Sequence, residues 1–61
     1  MRDYAMGARR YRLYAEELRA IADDDRAEAT ASKLRSVADD YEAMAASMEA
    51  VADSYEKLKR V

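Results

Sequence analysis

A chain of 61 residues with no Cys, His, Trp or Pro and a single Gly has room for one small domain and for no disulfide, thiol or imidazole chemistry. A formal net charge of −2, with 39% charged residues, describes a solvated surface rather than a general binder of polyanions. So short a chain buries only about 60% of its unfolded surface, and with disulfides excluded and metal ligation disfavoured, partner chains are the remaining source of stability.

The residues 2–24 read as a first helix. Tyr4, Gly7, Tyr11, Tyr14, Leu18 and Ile21 recur at alternating steps of three and four, with Ala8, Ala15 and Ala22 in a strict period of seven beside them. That spacing places the larger residues on one narrow stripe, as in a coiled coil or small bundle. Gly7 sits in that stripe at a cost of about 1 kcal/mol against Ala, which reads as a frayed turn or a small residue beneath a large opposing one.

A turn is expected near residues 24–26. From Ile21 to Leu34 the spacing is one residue short of two heptads, and Asp23, Asp24 and Asp25 sit at the slip. Three acids oppose the dipole at a helix C-terminus and favour it at the start of the next helix. Asp25 and Glu28 have capping-box spacing. A single continuous helix is the alternative, since no Gly or Pro marks the break.

The residues 26–60 read as a second helix, with a seam of Leu34, Val37, Tyr41, Met44, Met48, Val51, Tyr55 and Leu58 beside Ala31, Ala38, Ala45 and Ala52. Charge blocks favour a hairpin: residues 1–14 carry +3, 15–25 carry −4, 26–38 carry +2, 39–56 carry −6 and 57–61 carry +3. Folding back pairs basic with acidic blocks, sets Glu17 opposite Lys33 and Arg10 opposite Asp40, and brings the two alanine stripes together. The second helix is the longer, so Tyr55 and Leu58 are expected beyond the end of the first. Residues 1–61 therefore form one all-α domain, an antiparallel two-helix hairpin. It is expected to assemble into a four-helix dimer or larger bundle through Tyr41, Met44, Met48, Val51, Tyr55 and Leu58.

Residues 15–24 and 31–40 share the pattern Ala-x-x-Leu-Arg-x-(Ile/Val)-Ala-Asp-Asp. Ala15-Glu16-Glu17-Leu18-Arg19-x-Ile21-Ala22, followed by Leu34-x-x-Val37-Ala38-x-Asp40-Tyr41-x-x-Met44-Ala45, resembles small uncharacterised helical-hairpin proteins of alphaproteobacterial type. The similarity covers residues 11–49, and it implies a fold but no activity. A bacterial source also agrees with the excess of Arg over Lys and the abundance of Ala.

No residue set supports catalysis or a cofactor. A bundle di-metal site needs Glu-x-x-His pairs pointing inward, and there is no His. Ser47 and Ser54 lack an adjacent base. Arg9, Arg10 and Arg12, interleaved with Tyr4, Tyr11 and Tyr14, are the candidate nucleic-acid contacts, although these arginines also answer the acidic second helix. Met6 and Leu13, seven apart on the back of the first helix, are a candidate partner surface. No run approaches the ~18 apolar residues of a membrane span, and a cytoplasmic protein without membrane contact is expected. The sequence thus points to a non-enzymatic, self-associating scaffold, accessory subunit or regulator of another protein. The alternative is a small dimeric RNA- or DNA-binding regulator.

Overall fold

A computed structural model describes residues 3–59. Two helices, α1 (Tyr4–Asp24) and α2 (Glu28–Lys59), pack against each other as a hairpin. At 1.5 Å per residue they are about 31 and 48 Å long. The molecule measures 53 × 14 × 13 Å, and its radius of gyration of 14.9 Å well exceeds the about 10 Å of a compact chain of this length.

Local signals set the helix ends. Asp3 caps α1, its Oδ1 accepting from the Met6 N–H at 3.0 Å, which satisfies one of the orphan donors of the first turn. At the other end the Asp25 N–H donates to the Ala22 carbonyl at 3.2 Å. Asp25 then turns extended (φ −81°, ψ 128°), and no described residue has a positive φ. A turn without left-handed backbone needs no Gly, which explains why the sequence carries no such marker at the break.

The expected capping box does not form. α2 begins at Glu28, which makes Ala27 its N-cap, so Asp25 lies two residues too early; its Oδ1 instead accepts from the Ala27 N–H at 2.8 Å. Arg35 secures the corner, reaching Asp23 of α1 at 3.1 Å and Glu28 of α2 at 3.8 Å. It offsets an acid that would otherwise oppose the α1 dipole. The single-helix alternative is overturned.

The core consists of alanine. Ala8, Ala15, Ala22, Ala31, Ala38 and Ala45 are 0–2% exposed, and among the described residues no larger side chain is fully buried. Methyl groups on both surfaces let the helices approach at the short end of the ~8–10 Å range. Gly7 belongs to the same close fit, because a Cβ there would overlap the Met48 terminal methyl and lie 3.4 Å from its sulfur. The small-residue account of Gly7 holds, since Gly7 lies inside α1, not in a frayed turn.

Two consequences are measurable by circular-dichroism melting. Ala45→Leu overpacks the contact and costs about 1–3 kcal/mol, whereas Ala46→Leu, on an exposed position one residue along, is nearly neutral. Gly7→Ala gains stability by under about 1 kcal/mol, since the flexible end of Met48 moves aside while helix propensity improves. Gly7→Leu loses stability.

Candidate interaction surface

The hairpin has two unlike faces. Residues three and six beyond each stripe alanine lie roughly 50° and 100° round the helix on the same side. Because the helices are antiparallel, these flanks fall on one face of the pair. The rings bear this out: Tyr11 stacks on Tyr41 (centroids 5.4 Å), Tyr14 meets Tyr41 edge-on (5.7 Å), and Tyr4 stacks on Tyr55 (5.7 Å). Met48 covers Gly7 between these two aromatic groups. A shallow groove on this face is lined by Tyr11, Val37, Asp40, Tyr41 and Met44.

Tyr41 and Met48 are half-buried within their own chain. Tyr55 is not beyond the reach of α1, as the sequence had suggested, because Tyr4 projects along the open end and stacks on it. Val37, Met44 and Val51 remain 43, 44 and 39% exposed, and Leu58, past the end of α1, is 70% exposed. Tyr14 and Ile21 complete the exposed apolar set on the α1 side of this face. Met6 and Leu13 are exposed too, but they lie at the outer edge of α1, away from the face.

The opposite face is charged and paired. Arg12 forks onto both oxygens of Glu49, at 2.5 and 2.8 Å, and Arg19 bridges Glu42 at 2.5 Å and Asp39 at 2.8 Å. Arg12 and Arg19 lie four residues beyond Ala8 and Ala15; Glu42 and Glu49 lie four beyond Ala38 and Ala45. That shared offset from the alanine period is the signal in the sequence that identifies these pairs. The anticipated pairs Glu17–Lys33 and Arg10–Asp40 do not form within the chain, because all four residues point outward from the hairpin. Arg12 is therefore engaged, while Arg9 and Arg10 are exposed and make no ion pair with a described residue.

Hydrogen bonds from Arg19 hold the Glu42 carboxyl below its ordinary pKa of 4.5, and those from Arg12 do the same for Glu49. Both guanidinium pKa values are raised in return by these hydrogen bonds. Among the described residues no three acidic side chains gather into a group that could hold a metal ion. No described helix is long and apolar enough to cross a membrane.

Comparison with known proteins finds no matching family model, no matching curated protein and no matching solved structure.

The lowered carboxyl pKa values fix a direction for acid titration. A depressed folded-state pKa adds stability above the unfolded value near 4.5, and that contribution disappears as pH falls through the lower folded values. The melting midpoint is expected to drop below about pH 4.5. Glu42→Gln/Glu49→Gln flattens that drop, leaving less to lose in acid.

Proposed function

We propose that this chain is a non-enzymatic interaction protein that works as a self-associated helical bundle, the unit being a dimer of hairpins joined through the apolar face. In this role it serves as a scaffold, accessory subunit or regulator of another protein. One observation carries the reading: among the described residues only alanine is fully buried, while Val37, Met44, Val51 and Leu58 stay exposed along one line. Scattered apolar residues are ordinary on a surface, but a contiguous strip beside an alanine-only core calls for cover.

The area is commensurate. A compact monomer of 6.9 kDa exposes about 4000 Å². The hairpin exposes 4973 Å². The difference is of the order of the ~800 Å² that each partner contributes to a standard interface. The nucleic-acid reading is weaker, because Glu49 holds Arg12 and leaves Arg9 and Arg10 as the only free members of the cluster.

Light scattering at micromolar concentration should return at least twice the chain mass of 6.9 kDa, with a melting midpoint that rises with concentration. Met44→Glu or Val51→Glu should dissociate the assembly by burying an unpaired carboxylate at its centre. A stable, cooperatively folded monomer at every concentration would overturn the proposal.

A further inference from the structure

We infer that Met44 is a site of oxidative modification, whose conversion to the sulfoxide takes the assembly apart while leaving the hairpin folded. The inference rests on the self-association proposed above and names a chemistry that controls it.

Composition narrows that chemistry. With no Cys, His or Trp, the methionine thioether is the side chain that takes an oxygen atom from an oxidant of the peroxide class. A sulfur lone pair attacks one peroxide oxygen and the O–O bond breaks. The proton of the transferred oxygen passes to the leaving one, which departs as water. Sulfur gives up two electrons and the peroxide accepts them, so thioether and hydrogen peroxide become sulfoxide and water. The product carries a polar S=O group where the side chain was flexible and apolar, a change that disrupts methionine-bearing interfaces.

Three of the four methionines are among the described residues, each in a different setting. Met6 is 51% exposed at the outer edge of α1, away from the apolar face. Met44 is 44% exposed, but it stands within the strip, one heptad from Val37 and from Val51, and shares the groove with Tyr11, Val37, Asp40 and Tyr41. Met48 is half-buried, with its terminal methyl on Gly7. Exposure makes Met6 and Met44 comparable targets in a separate hairpin and shelters Met48.

The consequences of oxidation differ between the two exposed sites. A sulfoxide on Met6 projects into water whether or not the apolar face is covered. A sulfoxide on Met44 is hydrated in a separate hairpin, and the fully buried core is alanine, so the fold does not depend on that side chain. Beneath a second copy the same group loses its water, with the Asp40 carboxylate in the same groove. Burying a polar group without full compensation is costly, and each copy brings one. Oxidation therefore acts on the association equilibrium. Assembly acts in return on oxidation: it covers the Met44 sulfur, so oxygen transfer proceeds through chains that are apart, and protection deepens as protein concentration rises.

The test uses hydrogen peroxide as the probe, with peptide mass mapping, light scattering and circular dichroism as readouts. A chain of monomer mass at every concentration before oxidant overturns self-association, and the switch with it. In an assembling protein, Met44 should oxidise more slowly at high than at low protein concentration, and Met6 equally fast at both. Chains oxidised at Met44 should show a dissociation constant at least about tenfold higher, with helicity unchanged. An unchanged constant overturns the inference and leaves self-association standing. Met44→Leu nearly conserves volume and should stay assembled through the same dose, whereas Met6→Leu should come apart like the unsubstituted chain. Loss of assembly in peroxide-treated Met44→Leu overturns the assignment to this sulfur. Met44→Gln, permanently polar and of similar length, should weaken association without any oxidant, and an unchanged constant there overturns the inference as well.

Discussion

Alanine against alanine is the contact on which the rest of this molecule depends. A helix surface bearing only methyl groups lets a second helix approach closely, and closeness displaces anything larger from the line of contact. The tyrosines, methionines and branched residues must then flank the contact, and antiparallel geometry sends both sets of flanking residues to the same side. A single chain therefore separates its surface into an apolar face and a charged one without fully burying one large side chain among the described residues. Each buried methyl contributes only about 0.8 kcal/mol, so the contact sets geometry more than it stabilises.

The charged face supplies what a smooth alanine contact lacks, a reason for one register over its neighbours. Identical methyls seven residues apart fit nearly as well after a slip of one heptad. The forks of Arg12 onto Glu49 and of Arg19 onto Glu42 and Asp39 do not, because a shift of seven residues on one helix moves every partner by about 10 Å. Exposed pairs of this kind each add little to stability. Their joint effect is selection. Tyr4 on Tyr55 and Met48 on Gly7 impose the same register from the apolar side.

The helices, their antiparallel packing and the facing alanine stripes were legible from heptad spacing and the one-residue slip between Ile21 and Leu34. What failed was finer than an element. Counting positions outward from the turn placed Glu17 against Lys33 and Arg10 against Asp40. All four lie two residues beyond a stripe alanine and point away from the partner helix, however, so equal height does not bring them together. Side chains of α1 lean toward its N-terminus, the open end of the hairpin, and this carries Tyr4 to Tyr55, which a length comparison of the arms had left unpaired. The capping box failed because Asp25 belongs to the end of α1 rather than the start of α2: ending one helix and starting the next are competing uses of a single Asp, and its extended backbone decides between them.

The two exposed apolar sets differ in what they require. Met6 and Leu13 sit singly at the outer edge of α1, where solvent exposure of an isolated side chain is ordinary. Val37, Met44, Val51 and Leu58 run as a line down α2, beside rings already in contact with one another. Water against such a strip is costly in proportion to its continuous area, and a partner covers it with one face rather than many separate contacts. Around this strip Arg10, Glu17, Lys33 and Asp40 are exposed and of both signs. A nucleic acid seeks one sign and a membrane tolerates few acids, so a rim of mixed sign suits a protein surface of mixed charge better than either.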